Sequence, residues 1–259
     1  MNTLVWKRRL GKWCASYIAN RKVILLYHTV GQSAWALPHK QFDDQMRWLA
    51  DHCEVLTVSE LIHAKSTQHI QVALTFDDGY VSLYEAVLEN LLAKNMKATV
   101  YVNTGWIAEK KEHHRASVAS LGHYPEEYFL NWHEVSMLHQ AGWEIGSHGV
   151  EHCNVAQLTP EDMHRELAHS KVAIEAHLKK PCVHFAYPWG RYSRRVKNML
   201  NKIGYRYAAA AYHAPLAKTV DCLAIPRLNI DRAYRLQDFI DVLLGKWDYL
   251  RWIHRARGL

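Results

Sequence analysis

Seven short apolar runs alternate with segments of helical periodicity along most of this 259-residue chain. The runs are rich in β-branched and aromatic residues, which favour strands, and they cover residues 23–27, 71–76, 98–102, 143–147, 183–187, 205–209 and 223–225. Strands separated by helices form repeated βα units with parallel strands. The sequence therefore predicts an α/β fold, a distorted or incomplete (β/α) barrel of about seven βα units, with its chemistry at the carboxyl ends of the strands.

Three of the predicted helices begin with recognisable signals. Ser82 and Glu85 have the spacing of a capping box, as do Asn131 and Glu134, and in such a box each side chain accepts a hydrogen bond from the backbone of the other residue. Thr159 precedes a proline, which suits the first turn of a helix because its missing N–H is not needed there. We therefore expect helices to start after residues 82, 131 and 159.

The first 20 residues are predicted to form a separate basic amphipathic helix, and residues 21–259 to form one catalytic domain. Apolar side chains recur at helical spacing between Trp6 and Ile18, with lysines and arginines between them, and such a helix can lie on an anionic membrane surface. The alternative is that its apolar stripe packs on the rest of the domain. The polar stretch from Glu109 to Tyr128 is too long for an ordinary connection, and we interpret it as a lid or as a solvated loop.

Composition restricts the compartment and the partners. The formal charge of +7 indicates an anionic partner, but no nucleic-acid-binding motif accompanies it, so we predict no nucleic-acid partner. The chain shows neither a signal peptide nor a run of about 18 apolar residues that could span a membrane. The five cysteines are scattered, which favours a reducing compartment over a disulfide framework or a structural zinc cluster. We expect a cytoplasmic protein, with peripheral contact at the inner membrane face through residues 6–18 as an option.

Five titratable residues follow three of the predicted strands. His28 comes after the first strand, Asp77 and Asp78 come after the second, and His148 and His152 come after the fourth. In a βα array these strand ends share one mouth. Adjacent carboxylates repel each other, and a cation bound beside them offsets this electrostatic repulsion.

The spacing of the two later histidines favours a metal ion as this cation. Residues four apart in a helical turn or a tight loop can bind one ion together, and Gly149 favours the loop. Two imidazoles and one carboxylate form an open site of the kind that holds catalytic zinc or ferrous iron. We predict one divalent ion, zinc first, with iron, nickel and cobalt as alternatives, bound by one aspartate while the other stays ionised as a base.

The motifs resemble those of the NodB-type polysaccharide deacetylases, carbohydrate esterase family 4. The similarity runs through "LLYHTV", "ALTFDDGY", "NWHEVSMLHQAGWEIGSHGVEH", "FAYPWGRY" and "IPRLNI", which together span most of the chain. The early "LLYHTV" is similar to the branch that includes poly-N-acetylglucosamine deacetylases. The resemblance implies that Asp77 is the general base, that Asp78, His148 and His152 bind the metal, and that His28 is the catalytic acid.

The substrate-binding side of the predicted site comprises Tyr187, Pro188, Trp189 and Arg227. The resemblance implies that the "YPWG" segment walls the substrate groove and that a backbone N–H near Trp189 helps to hold the oxyanion. Trp189 is also the aromatic residue that we expect in the groove, since it adjoins a predicted strand end and sugar rings pack on aromatic planes.

Two positions depart from the family pattern. Gly149 stands where the family usually has a hydroxyl-bearing residue after the first histidine, so the loop lacks a side chain that could brace it. Ala186 lies near the place where an arginine often pairs with the base. We hypothesise that Arg227 supplies the missing positive charge; the alternative is an ordinary ion pair.

The reaction that the resemblance implies is hydrolysis of an N-acetyl amide on a sugar or polysaccharide, with release of acetate. An extracellular polymer fits poorly with a chain that shows no signal peptide. Either export is unconventional, or the N-acetylated glycan is an intracellular saccharide, for example a lipid-linked intermediate presented at the membrane face. Three alternatives remain open at this point: hydrolysis of another amide in small-molecule metabolism, a non-heme iron oxygenase, and a sugar-binding module without activity.

Overall fold

The computed structural model describes residues 3–11, 14, 19–109 and 127–252. Eight strands form one sheet: β1 (Lys22–Tyr27), β2 (Cys53–Leu56), β3 (Ile70–Phe76), β4 (Thr99–Val102), β5 (Glu144–Ser147), β6 (His184–Ala186), β7 (Tyr207–Ala209) and β8 (Leu228–Asn229). The strand order is β7-β6-β5-β4-β3-β1-β8, and β2 pairs with the first half of β3. Every pairing between these strands is parallel. The predicted fold class is confirmed: the sheet curls into an incomplete barrel.

Helices connect most of the consecutive strands, as parallel pairing requires, and one further helix precedes β1 and another follows β8. They are α1 (Thr3–Gly11), α2 (His39–His52), α3 (Val58–His63), α4 (Leu88–Leu92), α5 (Trp132–Gln140), α6 (Pro160–Leu178), α7 (Arg194–Ile203) and α8 (Leu236–Leu243), with a π-helical turn at Leu83–Val87 before α4 and a 3₁₀ turn at Pro188–Gly190. The main core lies between these helices and the sheet, and all seven residues of β3 are buried. No helix within the described ranges combines the length and the apolarity needed to cross a bilayer.

Helical segments begin after all three predicted positions, and two of the three begin with the predicted side-chain cap. Asn131 and Glu134 make the reciprocal capping box at the start of α5, and Thr159 accepts a hydrogen bond from the N–H of Asp162 at the start of α6. The capping box at Ser82 is wrong: Ser82 has helical backbone angles and makes no cap. Its hydroxyl instead lies 2.9 Å from that of Thr29, in the loop after β1, so a contact distant in sequence replaces the local one.

The gap between the outermost strands is bridged by residues 222–229. The predicted strand at 223–225 is wrong, because Ile225 makes only a single bridge, to Ala209 of β7. The strand forms a few residues later, where Leu228 pairs with Leu25 of β1. One segment thus contacts both edges of the sheet, and Arg227 lies within it.

The amino-terminal helix α1 packs against α8 and the chain that follows it. Arg8 makes a bidentate ion pair with Asp238, at 2.7 and 2.6 Å, and the Lys7 ammonium lies 5.6 Å from the centre of the Trp247 ring. Trp6 is 52% exposed. Most of the predicted helix beyond residue 11, and residues 110–126 of the predicted lid, lie outside the described residues.

Candidate active site

Three parallel strands bring the predicted titratable residues to one edge of the sheet. His28 follows β1, Asp77 and Asp78 follow β3, and His148 follows β5, with His152 four residues later. Because the three strands are parallel members of one sheet, their carboxyl ends lie at the same edge. The structure therefore brings together the residues that the sequence singled out.

Consecutive left-handed residues aim the two aspartates. Asp77 still donates its N–H to Tyr27 of β1, at 3.0 Å, so it continues the β3 ladder. Asp78 and Gly79 then have φ angles of +73° and +79°, which turn the chain sharply away from the strand. A Cβ on Gly79 would lie 3.0 Å from the Val102 side chain, so this position needs glycine for its angle and for space.

Asp78, His148 and His152 converge on one point. The Nε2 atoms of His148 and His152 lie 3.6 and 3.5 Å from Oδ1 of Asp78, and the ligand atoms of the three residues all lie within 4.8 Å of one another. All three side chains are buried. Burial raises the pKa of Asp78, but the two imidazoles and His28 lower it more, so the net shift is downward.

Neighbouring groups hold two of these ligands in position. His148 Nδ1 donates a 2.8 Å hydrogen bond to the Ala186 carbonyl, which places the proton on Nδ1 and leaves the Nε2 lone pair directed toward Asp78. Asn103, fully buried after β4, donates from Nδ2 to Oδ1 of Asp78 at 3.3 Å. Asn103 was not predicted; its place directly after a buried strand was the available signal.

This donor set fits a divalent ion. It consists of two imidazole nitrogens and one carboxylate, with one histidine tautomer already fixed for coordination, and two-histidine, one-carboxylate sets suit zinc and ferrous iron. Within the part of the chain that the structure describes, this trio is the group of histidine, cysteine and acidic side chains close enough to share an ion.

Asp77 lies beside this trio and is paired with Arg227. The guanidinium makes two contacts with the carboxylate, at 2.6 and 2.8 Å, and both side chains are almost fully buried. Burial alone would raise the pKa of Asp77, but Arg227 and then His148 lower it to about 2. Asp77 is therefore ionised at neutral pH, and its Oδ2 lies 4.0 Å from Nε2 of His148.

Arg227 is itself fixed by the barrel. Its Nε donates to the Ala210 carbonyl at 2.8 Å, and a terminal nitrogen donates to the Thr75 hydroxyl at 3.3 Å. Its side chain is 1% exposed. Arg227 is therefore turned toward Asp77, as hypothesised for the missing positive charge, and its place on the substrate-binding side stays a prediction.

His28 is half-buried at the same edge. A positive charge on its ring lowers the pKa of both Asp77 and Asp78, so the imidazole lies within electrostatic reach of both carboxylates. The next residue, Thr29, is held by Ser82, which also accepts from the N–H of Val30. The side chain that failed to cap a helix thus braces the loop that carries His28.

Of the predicted groove wall, Trp189 alone presents an exposed side chain. It is 47% exposed and its ring lies 4.4 Å from that of His152. Tyr187 and Pro188 are buried, and the Tyr187 hydroxyl donates to the Leu223 carbonyl. Their predicted contact with substrate stays a prediction.

A second tryptophan also lies near the same histidine. The ring of Trp106 is 5.6 Å from that of His152 and 4.7 Å from that of Phe129. Trp106 was not predicted, since periodicity does not decode the loop after β4. Two indole rings therefore lie close to His152, and that of Trp189 is the more exposed.

The chain is similar to several known proteins. A family profile described as polysaccharide deacetylase matches residues 64–208, which is more than half of the chain. A Bacillus subtilis (strain 168) protein, YxkH, provisionally named a polysaccharide deacetylase, is 27% identical over 213 residues, covering 80% of this chain and 70% of its own. The poly-beta-1,6-N-acetyl-D-glucosamine N-deacetylase of Staphylococcus aureus (strain N315) is 21% identical over 227 residues, covering 83% and 72%.

A solved structure shares the fold. The Streptococcus pyogenes deacetylase PplD, in complex with acetate, superposes with a TM-score of 0.71 at 20% sequence identity. The superposition covers 87% of this chain and 99% of that one. The incomplete barrel is therefore the architecture of a known deacetylase.

Proposed function

The chain belongs to the polysaccharide deacetylase family, and from that premise we propose that it hydrolyses the N-acetyl amide of a sugar in a glycan, releasing acetate and leaving an amine. The family resemblance predicted from the motifs is confirmed. The observation that carries the proposal is Asp77, a buried carboxylate kept ionised by Arg227 directly beside the Asp78, His148 and His152 trio.

We assign metal binding to Asp78, His148 and His152, with zinc as the preferred ion. When bound, a divalent ion polarises a carbonyl oxygen and lowers the pKa of a coordinated water. The family is metal-dependent, and the identity of the ion is part of this proposal.

Two side chains of the protein carry out the two proton transfers of the reaction. Asp77 accepts a proton from the attacking water, which requires a carboxylate, and its pKa of about 2 supplies one. His28, in its protonated form, donates a proton to the departing amine nitrogen as the C–N bond breaks. Water and amide thus become acetate and amine with no other reactant. A backbone N–H near Trp189 stabilises the oxyanion, and one such donor typically contributes about 3 to 4 kcal/mol.

Family membership favours this hydrolase over the other classes. An iron oxygenase uses the same three ligands but has no need of a second, ionised carboxylate paired with an arginine. A sugar-binding module needs Trp189 but not Asp77. Hydrolysis of a small-molecule amide would use the same catalytic groups. The substrate, and not the geometry of the site, therefore distinguishes that activity from glycan deacetylation.

Acetate release from a substrate panel tests the proposal. We expect metal-dependent release from N-acetylglucosamine oligomers, with β-1,6-linked chains included because a Staphylococcus aureus relative bears that name, and with free and lipid-linked forms compared. Chelation should abolish the release, and added zinc should restore it. Turnover of small amides with no release from any glycan would contradict the glycan assignment.

We further propose that α1 contacts anionic membranes from the cytoplasmic face and brings the site to a lipid-linked glycan. Trp6 and Arg9 are exposed on this helix, and an indole beside a cation suits a membrane interface. The protein should sediment with vesicles containing phosphatidylserine, less so as salt rises.

A double variant with a matched control tests this contact. The Trp6→Ala, Arg9→Glu variant should lose most vesicle binding, whereas Trp35→Ala, at a residue 63% exposed but outside the helix, should retain it. Unchanged sedimentation of the double variant would refute the membrane contact and leave the hydrolase proposal intact.

A further inference from the structure

The loop between the two metal-binding histidines is held from outside the site by the long helix α6. Val150 and Glu151 lie between His148 and His152, and their backbone N–H groups both donate to Oε2 of Glu166, at 2.8 and 3.1 Å. Glu166 is only 6% exposed. A buried side chain of α6 thus fixes two consecutive peptide groups directly before His152.

The same helix also contacts the start of the loop, through a residue one helical turn after Glu166. Ser170 lies four residues after Glu166 on α6, and its hydroxyl is 2.6 Å from that of Ser147. The Ser147 hydroxyl in turn accepts from the N–H of Gly149 at 3.1 Å. Two of the three N–H groups between the histidines therefore donate to α6 itself, and the third donates to Ser147, whose hydroxyl contacts Ser170 of α6.

The opposite side of the loop is held by the turn after β4. The N–H groups of Thr104 and Gly105 donate to the carbonyls of Gly149 and Val150, both at 3.0 Å. A Cβ on Gly105 would lie 2.5 Å from the Glu151 side chain, so the two segments are in close contact. The loop is thus fixed between this turn and Glu166.

These hydrogen bonds restrain the chain next to His152, whose backbone conformation is unfavourable. Its φ is +54°, in the left-handed region that non-glycine residues rarely adopt, and such a conformation typically costs about 1 to 3 kcal/mol unless its surroundings enforce it. The N–H that immediately precedes His152 in the chain is that of Glu151, which Glu166 holds. Gly149 fits the same arrangement, because a Cβ there would lie 3.1 Å from Oε2 of Glu166 and its φ is +95°.

We infer that Glu166 is a positioning residue for the metal site: its carboxylate fixes the loop so that His152 meets Asp78 and His148 at one ion. It takes the bracing role that a side chain at Gly149 cannot fill. The inference rests on the metal site of the proposed function, and it adds a residue that touches neither metal nor substrate.

Metal affinity measured with Zn²⁺ and a competing chelator tests the inference. Loss of a residue that orients a metal ligand without binding the metal typically weakens metal affinity by about 10- to 100-fold. We expect the zinc affinity of Glu166→Ala to fall by an amount in that range. Glu166→Gln keeps an acceptor oxygen and should lose less. Glu166→Asp keeps the charge but withdraws the oxygen by one methylene, so it should resemble Glu166→Ala and serves if that variant does not fold.

Glu175 provides a matched control on the same helix. Its Oε1 accepts a 2.9 Å hydrogen bond from the N–H of Cys182, in the connection to β6 and away from the metal loop. Glu175→Ala should lower the thermal unfolding midpoint of the metal-free protein much as Glu166→Ala does, yet keep wild-type zinc affinity.

The outcomes separate the two proposals. Zinc affinity of Glu166→Ala and Glu166→Asp within twofold of wild type, or an equal loss in Glu175→Ala, would overturn the positioning role while leaving the metal site standing. A wild-type protein that binds no zinc would overturn the metal site itself.

Discussion

Replacing Asp77 by asparagine should abolish most turnover while the protein still binds its metal. Asparagine cannot accept the proton of the attacking water, and a positioned general base typically contributes about 10²- to 10⁴-fold to the rate. Asp78, His148 and His152 are unchanged in this variant, so zinc content should remain near one equivalent. The measurement is kcat for acetate release, together with zinc content by elemental analysis.

Asp78→Asn is the matched control, because it makes the same chemical change one residue along. It alters a proposed ligand, so zinc should be lost and activity with it. Asp77→Asn also leaves the buried Arg227 guanidinium without its carboxylate, and removing one partner of a buried pair costs about 3 to 5 kcal/mol. Thermal unfolding must therefore show that the variant is folded at the assay temperature. Substantial activity in metal-loaded Asp77→Asn would show that another group is the base.

Replacing Arg227 by methionine should move the acidic limb of the pH–rate profile to higher pH and lower the rate at neutral pH. In the wild type, burial raises the pKa of Asp77, and Arg227 is the largest influence that lowers it, to about 2. Without the guanidinium, the effect of burial is less opposed and the pKa rises. The base is then protonated over a pH range in which the wild-type carboxylate is ionised.

The sign of this effect also applies to stability. A carboxylate whose pKa is lowered on folding stabilises the protein above its ordinary pKa near 4, and this contribution is lost as the pH falls toward about 2. Arg227→Met should therefore lose stability at neutral pH and show less further loss on acidification.

Arg227→Lys distinguishes charge from geometry, because lysine keeps the positive charge but cannot make the two-point contact of Arg227 with Asp77. We expect its acidic limb to lie between those of the wild type and Arg227→Met. The measurement is kcat against pH with metal saturating. Full turnover and an unshifted profile in Arg227→Met would reduce this contact to an ordinary ion pair.

The sequence predicted those parts of the site in which a single strand determines the position of the residue that follows it. A buried run such as Ile70–Phe76 followed by Asp77 fixes where the carboxylate emerges, and parallel pairing aligns that end with the residues after β1 and β5. This required only local patterns and the rule that strand ends collect at one edge. The roles of those residues followed from the family resemblance and remain proposals.

The parts that the sequence missed depend on contacts distant along the chain. The Ser82 hydroxyl bonds a residue 53 positions away rather than its own helix, and the local capping pattern cannot show this. Residues 223–225 have strand-like composition, but Ile225 makes only a single bridge to β7. The strand forms instead at β8, where the chain pairs with β1 on the other side of the gap in the barrel. Glu166 is one of several acidic residues on a helix, and its burial against the Val150 and Glu151 backbone is visible only once α6 is packed.

The central claim is that one divalent ion is bound by Asp78, His148 and His152 beside Asp77. Anomalous diffraction at the zinc absorption edge, from crystals grown with one equivalent of Zn²⁺, tests it most directly. We predict one peak within about 2.0 to 2.2 Å of a ligand atom of each of the three residues, with Asp77 close by but still paired to Arg227. An empty trio, with the zinc bound elsewhere on the protein, would contradict the account.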